Sequence, residues 1–275
     1  MSEARFKIGV FDSGFGGLTV LRALLRLVPC ADFVYIGDTA RLPYGSKSQA
    51  TIARYALSST RFLLDQGADF LVIACNTASA LAIDDIRQST RLPVLGVIET
   101  GVGQARIHSK TGDILVVATE ATVGSHAYSA ASQQQGLRAI EKACPLLVPL
   151  VEEGWVDHPV TTQVVRIYLS ELFEEARQAK LDPDTLVLGC THYPLLRSTI
   201  EAAVPLGLRV IDSAEAIAER VACVLKKENL IAGAGACESG GRHFFATDSV
   251  LKFQKLGARF LGEQIREVEL VDLGG

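Results

Sequence analysis

The chain has 275 residues, of which 48% are hydrophobic and 21% charged. That is enough apolar material for a core and excludes a chain disordered throughout, and the length predicts about two domains or one large one. A formal net charge of −4 with no sustained basic run leaves no surface suited to a polyanion, so neither nucleic acid nor an anionic membrane is an expected partner.

In chain order, apolar runs of strand length alternate with longer helical patterns. A strand over 7–11 leads into a helix over 17–27, whose Leu18, Leu21 and Leu25 share one face with Val28. A second strand covers 32–36, and a long helix over 48–66 ends at Gly67, a typical C-terminal glycine. The run D-F-L-V-I-A over 69–74 lacks polar alternation, which predicts a strand covered on both faces. A helix over 78–89 and a strand over 94–98 complete a first half.

The pattern then restarts with a strand over 113–118 and a helix beginning near Gly124. A strand-like run over 144–151, a long helix over 160–178 and a buried-type strand over 185–189 follow. Next come a helix over 194–204, a short strand over 208–211 and a helix over 214–226. Residues 230–241 are rich in Gly and Ala and read as a loop; the tail, 242–273, adds a strand, a helix and a last apolar strand. Strands alternating with helices at this spacing predict βαβ units and parallel sheets, an α/β fold. V-I-A-C-N-T-A over 72–78 is echoed by V-L-G-C-T-H-Y over 187–193.

Six cysteines occur, Cys30, Cys75, Cys144, Cys190, Cys223 and Cys237, with no C-x-x-C pair. The first residues carry no apolar signal region, and no segment reaches the roughly 18 apolar residues of a membrane span. Reduced thiols in a cytoplasmic protein are therefore expected.

Ligands of open parallel sheets bind beyond the carboxyl ends of the strands, which here are 12–17, 37–38, 75–77, 119–122 and 190–192. The first, D-S-G-F-G-G, resembles a phosphate-cradling loop but is G-x-G-G and not G-x-G-x-x-G. Tight strand–helix packing and carboxylate binding at a helix N-terminus are equally open to it. Cys75 and Cys190 each stand at a strand-to-helix junction, where the helix field lowers a thiol pKa and favours the thiolate; the other four cysteines read as ordinary thiols. His192, two residues beyond Cys190, suits a thiol–imidazole pair better than a metal site, because no second His lies within helical reach and H-E-x-x-H is absent.

With these motifs in hand, the chain resembles the glutamate racemase family, cofactor-independent enzymes that interconvert L- and D-glutamate for bacterial peptidoglycan. The resemblance rests on D-S-G-F-G-G-L-T-V over 12–20, P-Y-G over 43–45, A-C-N-T-A-S-A over 74–80 and L-G-C-T-H-Y-P-L over 188–195. These occur in the family's order across nearly the whole chain. The resemblance implies two similar α/β domains, each a mainly parallel sheet flanked by helices, with the active site in the cleft between them. The first would comprise 1–98 plus 211–275 and carry Cys75, and the second 99–210 and carry Cys190.

Racemisation needs a proton removed from one face of Cα and another delivered to the opposite face, and the resemblance assigns these tasks to Cys75 and Cys190. It places Asp12 near Cys75 and His192 near Cys190 to tune proton transfer, both also touching substrate. Glu152 matches an acidic residue near the histidine, with adjacent Glu153 leaving that register open. Ser13, Asn76, Thr77 and Thr191 with their backbone N–H groups would hold carboxylates, Tyr44 and Gly45 would line the cleft, and Thr119 and Thr122 match a threonine loop. No cofactor and no metal are implied, and the expected partner chain is a second copy in a homodimer. Thr100 stands where the family often has Pro after G-V-I-E, a hinge or packing difference. Two other readings stay open: a two-cysteine racemase of aspartate or another amino acid, and a nucleotide-binding module built on the glycine loop.

Overall fold

The short runs rich in Val, Ile and Phe form strands, and the stretches between them form helices, in a computed structural model that describes residues 5–228, 230 and 239–274. The first half runs β1 (Lys7–Asp12), α1 (Leu18–Leu27), β2 (Asp32–Gly37), α2 (Gln49–Asp65), β3 (Phe70–Ile73), α3 (Asn76–Leu81), α4 (Ile83–Ser89), β4 (Val94–Gly96) and α5 (Val97–His108). It continues with β5 (Asp113–Ala118), α6 (Glu120–Gly124), α7 (Ala127–Gln134), β6 (Arg138–Ala143), α8 (Leu147–Glu152), α9 (Pro159–Gln178) and β7 (Thr185–Gly189). The chain closes with α10 (Arg197–Glu201), β8 (Arg209–Asp212), α11 (Ser213–Lys227), β9 (Arg242–Ala246), α12 (Val250–Leu261) and β10 (Glu269–Leu270).

The strands form a six-stranded sheet, β10-β9-β2-β1-β3-β4, and a four-stranded sheet, β6-β5-β7-β8, with parallel pairing throughout. The order β2-β1-β3-β4 in the first recurs as β6-β5-β7-β8 in the second. Each sheet therefore reverses its winding direction at an equivalent place, between β1 and β3 and between β5 and β7, where open α/β sheets form their ligand crevices. Cys75 follows β3 and Cys190 follows β7, so the sequence echo corresponds to one topological position used twice.

Apolar side chains alternate between two buried layers along each central strand. Ile8 and Val10 of β1 and Phe70 and Val72 of β3 face a cluster shared with α1, α11 and α12. Phe11, Leu71 and Ile73 face the layer under α2. In the second sheet Leu115, Val117, Leu186 and Leu188 join that same first cluster, while Ile114, Val116 and Val187 face α5 and α7. Successive strand residues point to opposite faces, so a strand covered on both faces has no polar positions to alternate. One apolar layer, with α1 packed on α11, thus runs from the first sheet to the second.

Several elements differ from the sequence expectation. The strand over 94–98 stops at Gly96, and Val97 begins α5, which the sequence reading lacks. Gly101 and Gly103 weaken its helical signal, and burial of Val97, Ile98, Val102 and Ala105 holds it instead. The run over 144–151 is helix α8; the strand is R-A-I-E-K-A over 138–143, an edge strand with half-exposed side chains and a correspondingly weak apolar pattern. The helix over 78–89 is interrupted at Ala82, the helix near Gly124 begins at Glu120 under a Thr119 cap, and 194–204 is a 3₁₀ turn followed by the short α10.

The loop reading of 230–241 lies mostly outside the described residues, as does Cys237. Cys75, Cys144, Cys190 and Cys223 are free, whereas Cys30 is disulfide-bonded. That departs from six reduced thiols, because sequence spacing does not tell which cysteines a fold brings within bonding distance. Among the described residues no helix is long and apolar enough to cross a membrane.

The turn after β1 is held by its neighbours. Tyr35 in β2 donates its hydroxyl hydrogen bond to the Gly14 carbonyl at 3.0 Å, and a Cβ at Gly37 would lie 2.3 Å from that same oxygen. Because the obstacle is backbone, Gly37→Ala is expected to displace the loop and destabilise the fold by about 1–3 kcal/mol. Thermal denaturation should register this as a fall in Tm of roughly 2–4 °C per kcal/mol; an unchanged Tm would show that the loop yields freely.

Candidate active site

The carboxyl ends of the central strands of both sheets open on one cavity of about 420 Å³. Ser13 follows β1, Cys75, Asn76 and Thr77 follow β3, Thr119 follows β5, and Cys190, Thr191 and His192 follow β7; all line it, together with Tyr44, Gly45 and Glu152. Asp12 and Thr122 are absent from the lining and are buried behind it, 1% and 0% exposed. Asp12 Oδ2 accepts from the Gly14 N–H at 2.8 Å, its buried Oδ1 has no partner among the described residues, and Thr122 joins the threonine cluster described below.

Each cysteine is placed by the local structure of its strand end. Cys75 caps α3, its Sγ accepting from the Ala78 N–H and its S–H donating to Ser13 Oγ, both at 3.4 Å. Cys190 Sγ lies 3.9 Å from His192 Nδ1, and His192 Nε2 lies 3.2 Å from Glu152 Oε1. Glu152, not the exposed Glu153, is therefore the acidic partner of the imidazole. Forming a helix over 147–152 is what makes this possible, since residues four apart share a helix face, and Val148 and Glu152 both face the cavity.

Hydroxyl groups knit the two sheets together around the cavity. Thr77 Oγ1 lies 3.1 Å from Thr119 Oγ1 and 3.3 Å from Thr122 Oγ1, which are 2.9 Å from each other. Asn76 Oδ1 accepts from the Tyr128 hydroxyl at 2.7 Å, leaving its buried Nδ2 without a partner among the described residues. The Tyr44 hydroxyl is committed to Asp38, a carboxylate also bound by Arg41 and Thr247, so Tyr44 presents the rest of its ring and its backbone to the cavity.

The glycine loop serves packing. A Cβ on Gly16 would stand 2.2 Å from Thr191 Oγ1 and 2.7 Å from His192 Nδ1; the space over the loop is filled by the second sheet's junction, with no room there for a phosphate. Thr19 on α1 fastens the approach, donating to the Gly16 carbonyl at 2.9 Å and lying 3.2 Å from the Thr191 carbonyl.

Electrostatics distinguish the two thiols' surroundings. Burial pushes the Cys75 thiol up to about 12, the nearby Asp12 carboxyl adds to this, and the hydrogen bonds with Ser13 and Ala78 only partly offset it. The helix N-terminus, expected from sequence to favour a thiolate there, is outweighed by desolvation. Burial likewise raises the Asp12 carboxyl above its ordinary value, against the opposing pull of the loop amides and His192. For His192, burial alone favours the neutral ring, but its hydrogen bonds to Cys190 and Glu152 raise it to about 10. Burial would raise Glu152, yet the His192 hydrogen bond and charge, with Lys252, hold it below the usual carboxylate range.

Lys252 on α12, Glu120 and the apolar Leu42, Pro145 and Val148 also line the cavity and carry no sequence motif. Lys252 Nζ is 3.6 Å from Glu152 Oε2 and stands over the Phe15 ring, a position reached only because α12 folds back against α1. Among the described residues no group of three or more His, Cys, Asp or Glu is arranged to hold a metal ion.

Known proteins match the chain over its full length. The family model for Asp/Glu/hydantoin racemases matches residues 8–221. The chain is 51% identical to a glutamate racemase of Koribacter versatilis over the whole of both proteins. Among solved structures, glutamate racemase from Francisella tularensis in complex with D-glutamate superposes with a TM-score of 0.87 at 34% identity, covering 98% of each chain. The Thermus thermophilus glutamate racemase bound to beta-chloro-D-alanine gives a TM-score of 0.85 at 42% identity, again over 98% of each chain. With sequence likeness and fold agreeing from end to end, the chain belongs to the Asp/Glu/hydantoin racemase family.

Proposed function

We propose that this chain racemises glutamate at Cα, without a cofactor, by proton transfer through the thiols of Cys75 and Cys190, and so supplies D-glutamate for peptidoglycan. The observation that carries the reading is a free cysteine after each of two topologically equivalent strands, β3 and β7, both opening on one cavity. Glutamate as the substrate is supported by the full-length likeness to glutamate racemases, one of them bound to D-glutamate. On the family likeness alone, the working form is a homodimer in the cytoplasm.

In one turnover the thiolate of one cysteine takes the Cα proton, forming an S–H bond as the C–H bond breaks. The S–H of the other cysteine then delivers its proton to the opposite face of Cα. The substrate's configuration is inverted, and the two sulfurs have exchanged protonation states. A single base would tend to return the proton to the face it left, so two are required. Cys75, whose thiol burial pushes up to about 12, is disposed as donor, and His192 keeps a proton within reach of the Cys190 sulfur. Before the next turnover in the same direction the sulfur that gained a proton loses one to solvent and the other takes one from solvent, with Asp12 and His192, beside the two sulfurs, the side chains placed to pass them.

The Cα proton is very weakly acidic, so the negative charge that develops must be held by fixed donors in a site poor in water. Asn76 Nδ2, the cluster formed by Thr77 and Thr119, and the backbone amides at the starts of α3 and α6 are the donors available for the carboxylates. Leu42, Pro145 and Val148 provide apolar wall. The net charge of −4 does not attract a dicarboxylate, and recognition falls to these local groups and to Lys252.

Cys75→Ser and Cys190→Ser are each expected to lower racemisation at least about 100-fold, the scale of a lost acid–base group. Circular dichroism against L- and D-glutamate and against aspartate measures this, and solvent-deuterium incorporation followed by NMR should persist for one enantiomer only in each variant. Undiminished racemisation by both variants would refute the two-thiol mechanism, and preferential turnover of aspartate would refute the substrate.

The pH dependence has a definite sign. A raised His192 pKa keeps the ring protonated below about 10, and Glu152 stabilises that cation. Glu152→Gln removes the stabilisation, so the ring loses its proton at lower pH, and the alkaline limb of kcat/KM should move down by about 1–2 pH units. A limb that stays in place would assign it to another group.

A further inference from the structure

Tyr128 is a fully buried tyrosine on α7 that belongs to none of the sequence motifs. Its hydroxyl meets Asn76 Oδ1 at 2.7 Å, and its ring lies against Gly189, where a Cβ would stand 2.9 Å from Tyr128 Cε2. One side chain therefore touches the residue after Cys75 and the residue before Cys190, from the layer behind the cavity.

We infer that Tyr128 is a positioning residue for the racemisation, holding the Asn76 amide so that Nδ2 faces the cavity as a donor to a substrate carboxylate. Asn76 lines the cavity, is 3% exposed, and has an Nδ2 with no hydrogen-bond partner among the described residues. A buried donor left unpaired is costly, and an oxygen of a ligand in the cavity that Asn76 lines is an acceptor that would pair it. The amide has two orientations, and the phenol selects between them. In the one described, the phenolic proton meets Oδ1 and only Nδ2 waits for a partner. In the reverse, Nδ2 would donate to the phenol oxygen, the phenolic proton would have no acceptor, and Oδ1 would turn its lone pairs towards an incoming carboxylate. That arrangement leaves two groups unmatched and repels the anion. Burial keeps the phenol protonated, with Glu141 and Cys190 adding to the effect, so the donor is present throughout the working range of pH. A phenylalanine ring would fill the same space against Gly189 and lose the selection.

The test is a double-mutant cycle on the intact enzyme: kcat and KM for both glutamate enantiomers in wild type, Tyr128→Phe, Asn76→Ala and the double variant, with Tm measured alongside. Tyr128→Phe is expected to raise KM about 5- to 20-fold, the effect of freeing one hydrogen-bonding partner. Added to Asn76→Ala, it should change KM by less than about twofold, because the residue it acts through is gone. Where Asn76→Ala turns over too slowly, calorimetric titration with D-glutamate supplies the same cycle. An unchanged KM in Tyr128→Phe, or an equal factor in both backgrounds, overturns the inference; the second result would mark Tyr128 as a packing residue only. The inference rests on glutamate being the substrate. A wild-type protein that neither binds nor turns over glutamate overturns that reading first, whereas additive effects in an active enzyme overturn the role of Tyr128 alone.

Discussion

The absence of a side chain at Gly16 lets the turn after β1 lie directly against Thr191 and His192, and the shape of the site follows from that contact. With the loop seated there, the carboxyl end of the first sheet abuts that of the second, and the side chains leaving both ends have one shared space to occupy. Tyr35 and Gly37 fix the loop from the neighbouring strand, and Thr19 ties it to the Thr191 carbonyl. A phosphate-binding role for the same glycines would need the space that the opposing junction fills.

Around this contact the protein distributes polar groups unequally. On the Cys75 side a carboxyl and a thiol are buried together, and desolvation favours their neutral forms. On the Cys190 side a carboxylate and an imidazole are buried together, and each stabilises the charge of the other. Two strand ends that are equivalent in topology therefore differ in electrostatics. The threonine cluster and the Tyr128–Asn76 bond bind the two environments into one frame.

Much of this was legible along the chain. The buried strands declared themselves because residues covered on both faces leave no polar alternation, as at 70–73 and 185–189. The strand-end cysteines, the asparagine and the threonines were visible because they stand in short motifs at those junctions. Elements whose signal depends on partners were not. Helix α5 carries two glycines and is held by burial, and β6 is a half-exposed edge strand. Helix α8 lies in a short apolar run over 144–151 that reads as a strand although Pro145 and Pro149 weaken that reading.

By itself the sequence determined the alternation of strands and helices, the repeated strand–cysteine junction and the set of side chains available for chemistry, because these depend on local periodicity and residue type. Only the tertiary structure decided which of those side chains reach the cavity. Asp12 and Thr122 fall behind the lining, while Lys252 enters it from a helix distant in sequence. It also decided that burial raises the Cys75 thiol, and that Glu152 and not its neighbour meets His192. Burial, helix register and the approach of distant segments set these outcomes, and none of the three is a local property of the chain.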